Sequence, residues 1–248
     1  MSRNKFPPKP RYDPDTGPVY LYGLHTVRAA LDNPRREKRR LLATPNALGR
    51  LAESGGAGRV PVTETTPKEL DRLLGADAVH QGIALEVEPV SRFGLGDIAP
   101  LNLVVVLDQV TDPHNVGAIL RSAAAFGAIG IVTQDRHSPP EGGALAKAAS
   151  GALEVVPWVR AVNLARALDE IAEAEFWRIG LAGDAETLLK DALGPSRVAL
   201  VLGAEGTGLR PNTREHCDGL ARLPISGAIE SLNVSNAAAV ALYAATAG

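Results

Sequence analysis

Short apolar runs alternate with stretches of helical period along most of the chain, and this pattern predicts an α/β fold. The first part is predicted to form strands at 19–22, 41–43 and 83–87, and helices at 25–31, 48–54 and 67–74. Later, the unbroken run Leu103-Val-Val-Val-Leu107 is typical of a strand buried on both faces, hence of a parallel sheet between helical layers. The other elements predicted there are strands at 129–133, 153–157, 177–182 and 198–202, and helices at 116–126, 143–150, 164–174 and 233–245.

The segments between these elements divide the chain into two domains. Residues 1–18 are basic and rich in proline and have no apolar period, which favours a disordered arm. Residues 19–88 make up a small α/β domain, and residues 89–101 have the proline- and glycine-containing composition of a linker. Residues 102–248 form the larger domain. Its last helix, 233–245, is apolar on most faces, so we expect it to pack inside the protein or against a partner.

Composition and charge narrow the class of protein. The content of 45% hydrophobic and 22% charged residues is ordinary for a soluble protein, and no apolar run approaches the roughly 20 residues that cross a bilayer. The N-terminus lacks the apolar core of a secretory signal, and the single cysteine, Cys217, excludes an internal disulfide and a cysteine-based zinc cluster. We therefore expect a cytoplasmic protein.

The charge is unevenly distributed. The net charge is −2, yet the first 40 residues hold ten Lys/Arg against four Asp/Glu. A basic end on an acidic body predicts contact with a polyanion, and a merely solvated basic tail is the alternative. The arginines of the run 34–40 are therefore the candidate contacts to such a polyanion: Arg35, Arg36, Arg39 and Arg40.

Three loops that follow predicted strands carry candidate chemistry. The first leads from Leu107 through a polar turn to Asn115, a suitable helix N-cap, and to Arg121 on the same helix. Ligands of open parallel sheets bind beyond the carboxyl ends of the strands, where this turn lies. The alternative is that Asn115 only caps the helix and Arg121 is a surface cation.

The second and third loops are rich in small residues. Gly203-Ala-Glu-Gly-Thr-Gly208 follows a buried strand and allows close backbone approach to a ligand, although its glycine spacing is not that of the dinucleotide-binding fingerprint. Near the C-terminus, a short apolar stretch at 223–225 is followed by Ser231, the predicted N-cap of the last helix, and by Asn233. For both loops an ordinary turn or cap remains the alternative.

In this order, the three loops resemble the signature motifs of the SPOUT-class RNA ribose 2′-O-methyltransferases. Tyr22-Gly-Leu-His25 and Val79-His-Gln-Gly82 look like the ends of the small N-terminal RNA-binding domain of that family, which is similar to a ribosomal-protein fold. Thr213-Arg-Glu-His-Cys-Asp218 resembles the branch that methylates a guanosine of bacterial large-subunit ribosomal RNA.

The resemblance implies a C-terminal α/β trefoil-knot domain with a mostly parallel sheet, S-adenosylmethionine as cofactor, no metal, and a homodimer formed through the last helix. The residues that match catalytic positions are Asn115, Arg121, Glu205, Ser231 and Asn233, and those that match cofactor-binding positions are Gly203, Leu223, Ile225 and Leu232. Glu205 is expected to hold the guanidinium of Arg121, which stays protonated and therefore stabilises charge rather than acting as a base.

Three other functions remain open. Transfer RNA is the alternative substrate within the same class of enzyme. A non-catalytic RNA-binding module would use the basic end alone and would not need Asn115, Arg121, Glu205 and Asn233 together. A nicotinamide-dependent oxidoreductase fits a parallel sheet, but the dinucleotide fingerprint is missing.

Overall fold

The structure is a computed structural model that describes residues 19–90, 93–98, 102–128, 130–194, 197–226 and 229–247. The predicted arm, residues 1–18, lies outside the described residues, as do parts of the predicted linker and position 129 of a predicted strand. Within the described part, two separate sheets account for the two predicted α/β units.

The N-terminal unit is a four-stranded sheet in the order β1-β4-β2-β3. Its elements are β1 (Val19–Tyr22), α1 (Leu24–Asp32), β2 (Lys38–Ala43), α2 (Pro45–Ala52), β3 (Val62–Glu64), α3 (Pro67–Leu74) and β4 (Ile83–Val87). Strand β4 pairs antiparallel with β1 and β2, whereas β3 pairs parallel to β2. The N-terminus of α3 carries a capping box between Thr66 and Glu69, which explains why its predicted bounds are met.

The second unit is a fully parallel six-stranded sheet in the order β10-β8-β9-β5-β6-β7. Its strands are β5 (Leu103–Asp108), β6 (Ile131–Gln134), β7 (Trp158–Ala161), β8 (Phe176–Leu181), β9 (Arg197–Gly203) and β10 (Gly219–Ala221). The helices, starting with a short one in the linker, are α4 (Leu95–Ile98), α5 (Pro113–Ala125), α6 (Gly143–Ala149), α7 (Leu164–Glu173), α8 (Leu189–Ala192), α9 (Pro211–Glu215) and α10 (Val234–Thr246). Every residue of β5 is buried, as its apolar run predicts.

The predicted strand at 153–157 is wrong. Ser150 and Gly151 both have positive φ, of 49° and 94°, and they turn the chain into a 3-10 helix at Ala152–Glu154. This turn buries Glu154, and the strand begins only after Pro157, which has no N–H to donate to a sheet.

Two predicted helix caps are also wrong. Asp112 caps α5 by accepting a hydrogen bond from the His114 amide at 2.9 Å, so that Asn115 lies inside the first turn. Pro113 favours this start because the first helical position needs no N–H donor. At the other end, Asn233 rather than Ser231 caps α10.

Candidate active site

Three of the predicted catalytic side chains form one hydrogen-bonded cluster. Glu205 Oε1 accepts from Asn115 Nδ2 at 3.2 Å and from Asn233 Nδ2 at 2.5 Å, and Asn233 Nδ2 also lies 3.1 Å from Asn115 Oδ1. These residues are far apart in sequence, and all three are partly or fully exposed to solvent. The cluster therefore presents two amides and a carboxylate to any molecule that reaches this edge of the sheet.

The sheet explains why these residues meet. Strands β5 and β9 are neighbours in register, with Asp108 beside Gly203 at their carboxyl ends. The segments that leave these two ends carry Asn115 and Glu205, so they emerge on the same edge, where ligands of parallel sheets bind.

The cap of α10 adds the third member and fixes its orientation. Asn233 Oδ1 accepts from the amides of Ser235 at 2.9 Å and Asn236 at 3.4 Å, which leaves its Nδ2 group directed to Glu205 and Asn115. Glu205 Oε1 also accepts from the Val234 amide at 3.2 Å. The first turn of α10 therefore helps to hold the Glu205 carboxylate in this place.

A cavity of about 640 Å³ adjoins this cluster, within the size range of small-molecule sites. The ends of β8, β9 and β10 and the loops that follow them form its walls. The lining includes all four predicted cofactor-binding residues and two of the predicted catalytic ones: Gly203, Leu223, Ile225, Leu232, Glu205 and Ser231. Asp184 and Arg214 also line it and form an ion pair of 2.9 Å with each other.

Gly203 is required by the backbone of the cavity wall. A Cβ atom at this position would lie 2.1 Å from the carbonyl carbon of Gly208 and 2.3 Å from the amide nitrogen of Leu209. The loop 203–208 therefore folds back onto the end of its own strand. The close approach predicted between Gly203 and a ligand is therefore, in the structure, an approach between two parts of the chain.

Arg121 stands apart from the cluster. It is exposed, and within the described ranges its side chain makes no hydrogen bond or ion pair. It lies six residues after Asn115 on α5, which places it about 9 Å along the helix axis and about 120° around it. The expected contact between Glu205 and the Arg121 guanidinium is therefore wrong for this chain on its own: Glu205 binds the two asparagines instead.

One structural pair of the site was missed from the sequence. Asp108, the last residue of β5, is fully buried and accepts hydrogen bonds from the Arg210 amide at 3.1 Å and from Arg210 Nε at 2.8 Å. Because a buried carboxylate needs such partners, the pair ties the end of the glycine-containing loop to the central strand. An acidic residue directly after a buried apolar run is the sequence signal that could have revealed it.

The arginines of the basic run have different environments. Arg36 is buried and forms ion pairs with Glu141 and Glu154. It is therefore not accessible to RNA, and its prediction as an RNA contact is wrong. The others are exposed: Arg39 pairs with Glu88, Arg40 pairs with Glu86, and Arg35 lies over the ring of Phe93 at 5.4 Å. The charges of Arg39 and Arg40 are thus partly balanced by neighbouring carboxylates.

No helix within the described ranges has the length and apolar character to span a membrane. No group of three or more His, Cys, Asp or Glu side chains in the same ranges is arranged to hold a metal ion.

Comparison with known proteins gives consistent matches for both units. Residues 102–243 match the SpoU rRNA Methylase family, and residues 20–93 match the family described as RNA 2′-O ribose methyltransferase substrate binding. The 23S rRNA (guanosine-2′-O-)-methyltransferase RlmB of Pseudomonas aeruginosa is 41% identical over 90% of this chain and 94% of its own length. RlmB of Escherichia coli K12 is 38% identical over 91% of this chain and 96% of its own length.

A solved structure extends the comparison to the fold. The SpoU methyltransferase AviRb from Streptomyces viridochromogenes, in complex with the cofactor AdoMet, matches with a TM-score of 0.80 at 24% identity. The match covers 93% of this chain and 90% of that one. It confirms the predicted fold class, a small N-terminal α/β domain followed by a C-terminal SPOUT domain.

Proposed function

The chain belongs to the SpoU rRNA methylase family, and on this basis we propose that it transfers a methyl group from S-adenosylmethionine to the ribose 2′-hydroxyl of a guanosine in 23S ribosomal RNA. One observation of the structure supports this most directly. The cluster of Asn115, Glu205 and Asn233 adjoins a cavity of cofactor size at the carboxyl edge of a parallel sheet.

The cavity suits this cofactor. Apolar walls from Leu223, Ile225 and Leu232 would hold a planar base, and the loop that begins at Gly203 offers backbone groups for polar contacts. When bound, S-adenosylmethionine supplies an activated methyl group on a sulfonium centre. Methyl transfer of this kind depends mainly on alignment, and no metal is required for it.

The chain's own polar groups then act on the ribose. A ribose hydroxyl is a weak acid at neutral pH, so it must lose its proton as its oxygen attacks. The hydrogen bonds to Glu205 from within the described residues all go to Oε1, which leaves Oε2 to accept a hydrogen bond from the hydroxyl and then its proton, as the methyl group moves from sulfur to the ribose oxygen. Asn115 and Asn233 hold this carboxylate in place, and Arg121, which stands apart from the cluster, supplies positive charge to the RNA phosphate.

Ribosomal RNA is favoured over transfer RNA by the extent of the match. The relatives named as 23S rRNA methyltransferases align over nine tenths of the chain, including the N-terminal unit. We therefore assign residues 19–88 to substrate binding and residues 102–248 to catalysis, with 89–101 as the linker. Exposed Arg35, Arg39 and Arg40 contribute affinity for phosphates, so neutralising all three should reduce the dependence of RNA binding on salt.

A homodimer formed through α10 and a cytoplasmic location are parts of the same proposal. Val240 and Tyr243 leave apolar and aromatic surface exposed on this helix, 46% and 60% of each residue respectively. Tyr243 also lies edge-to-face with Phe126, with ring centroids 6.0 Å apart. Apolar surface of this kind favours association with a second copy.

The test is a methylation assay with defined RNA. Purified protein and S-adenosylmethionine labelled in the methyl group are incubated with 23S rRNA from a strain that lacks the gene, and methylated riboses are mapped. We expect one 2′-O-methylguanosine, with little or no label when Asn233 is replaced by alanine. Label that appears in transfer RNA and not in 23S rRNA would contradict the assigned substrate, and no transfer to either would contradict the activity.

A further inference from the structure

A buried ion cluster joins the N-terminal unit to the catalytic unit. The Arg36 side chain is fully buried and pairs with Glu154 through two nitrogens, Nε to Oε2 at 3.1 Å and Nη2 to Oε1 at 2.5 Å. Arg36 Nη1 pairs with Glu141 and also donates to the Glu88 carbonyl at 2.9 Å. Asn33 Nδ2 donates to the same Glu154 carboxylate at 2.7 Å. One arginine is thus held by two carboxylates from the opposite unit.

The rest of this interface consists mostly of contacts between small or apolar groups, with Lys147 of α6 as a charged exception: its Nζ donates to the Val79 carbonyl and lies 5.7 Å from the centre of the Tyr22 ring. Helix α6 meets the N-terminal unit through small residues, and a Cβ at Gly143 would lie 2.2 Å from the Tyr22 ring and 2.6 Å from the Tyr20 carbonyl. Thr26 Oγ1 donates a weak hydrogen bond of 3.4 Å to the Ala146 carbonyl. Contacts between small apolar groups attract without direction, so they do not by themselves fix one orientation.

Helix α6 also contacts a helix of the candidate active site. Helix α6 packs closely against α5, since a Cβ at Gly117 would lie 2.5 Å from the Leu145 carbonyl and 2.6 Å from Ala148 Cβ. Helix α5 carries Asn115 and Arg121. The position of the N-terminal unit is therefore set relative to the helix that holds two of the proposed catalytic residues.

We propose that Arg36 is a positioning residue that fixes the substrate-binding unit on the catalytic unit, so that bound RNA presents its ribose to the Asn115 cluster. A guanidinium with five donors in a rigid fork specifies direction in a way that an alanine surface does not. Buried ion pairs contribute little to stability compared with apolar replacements, and fixing one arrangement is their best-supported role. This inference rests on the proposed function.

The test compares full-length Arg36→Met with Arg28→Met. Arg28 is the matched control because it lies on neighbouring α1 and forms an exposed ion pair of 2.7 Å with Asp32 inside one unit. For Arg36→Met we expect kcat on 23S rRNA to fall by roughly tenfold to a hundredfold, since a small misplacement of a substrate has an effect of this size. The Kd for S-adenosylmethionine should not change, and small-angle scattering should show a larger radius of gyration. Arg28→Met should match the wild type in all three.

A second variant separates positioning from stability. Arg36→Met leaves two carboxylates buried without their partner, so it will lower the melting temperature as well. The triple variant Arg36→Met, Glu141→Gln, Glu154→Gln removes all three charges and should regain stability, yet kcat should stay low. Recovery of kcat together with stability would overturn the proposal, and so would normal turnover or an unchanged radius of gyration in Arg36→Met. If wild-type protein methylates no RNA, the proposed function fails, and the scattering result alone decides whether Arg36 docks the units.

Discussion

Replacing Gly203 by alanine tests whether the loop 203–208 must fold back on strand β9 to form the cofactor cavity. The added Cβ would lie 2.1 to 2.3 Å from backbone atoms of Gly208 and Leu209, where ordinary contacts begin at 3.4 Å. The backbone of the loop must therefore move by more than 1 Å. Neighbouring atoms are backbone rather than flexible side chains, so rotation of a side chain cannot relieve the contact.

The size of the effect follows from this displacement. Forcing an extra carbon into a packed site typically costs about 1–3 kcal/mol. If S-adenosylmethionine binds only to the native loop, the same free energy is lost from binding, which corresponds to a roughly fivefold to 150-fold higher Kd. The melting temperature should fall by about 2–4 °C for each kcal/mol in a domain of this size.

Calorimetric titration with S-adenosylmethionine measures the Kd, and thermal unfolding measures the stability. Gly219→Ala is the control, because Gly219 lies on β10 of the same sheet and its added Cβ would meet no atom within 4 Å. A Gly203→Ala protein with wild-type Kd and melting temperature would show that the loop tolerates the carbon, and the account of this cavity wall would be refuted.

Three further predictions concern single residues. Arg121→Ala should retain cofactor binding but lose about a hundredfold in single-turnover methylation, because the RNA loses a contact that positions its ribose; near-normal turnover would show that Arg121 does not contribute to the reaction. Arg178 donates to Asp218 and lowers the pKa of that carboxyl below its usual 3.8, so the pair stabilises the fold above that pH and the benefit disappears as pH falls through the lowered pKa. Asp218→Asn should therefore cost about 1 kcal/mol in free energy of unfolding at pH 7, with the difference from wild type shrinking below pH 3.8; a constant difference would contradict this. Tyr243→Glu should shift the proposed dimer to a 25.9 kDa monomer in light scattering, and an unchanged mass would place the interface elsewhere.

The sequence predicts the strands of this fold best where a local pattern decides them. β5 is apolar from Leu103 to Leu107 because both of its faces are covered, and the bounds of β1 and β4 agree with prediction. β3 has no buried residue and β10 has three residues, so neither leaves an apolar pattern to detect. The failure at 153–157 has another cause: a β-branched run follows two residues with positive φ, and the turn they make is not visible in hydrophobic period.

The helix caps show a limit of a different kind. Asp112 and Asn115 are both suitable N-caps, and only the first is used. The proline directly after Asp112 distinguishes them, because it fits the first helical position and has no amide to leave unpaired. The same competition decides between Ser231 and Asn233 at α10, where the hydrogen bonds of Glu205 and Asn115 hold Asn233 in place. In the second case the deciding contacts come from distant segments, which a local pattern does not include.

The basic run 34–40 shows why charge alone did not predict the role of each arginine. The excess of positive charge draws attention to this segment, but a count of charges along the sequence does not show which carboxylates lie near each arginine in the folded chain. The partners of Arg36, Glu141 and Glu154, lie 105 and 118 residues further along the chain. The turn after α6 brings Glu154 inward to Arg36, and it is the same turn that replaced the predicted strand. The wrong strand at 153–157 and the wrong prediction of Arg36 as an RNA contact therefore share one physical origin. The chain at 150–154 bends and thereby supplies the Glu154 carboxylate to Arg36 of the other unit.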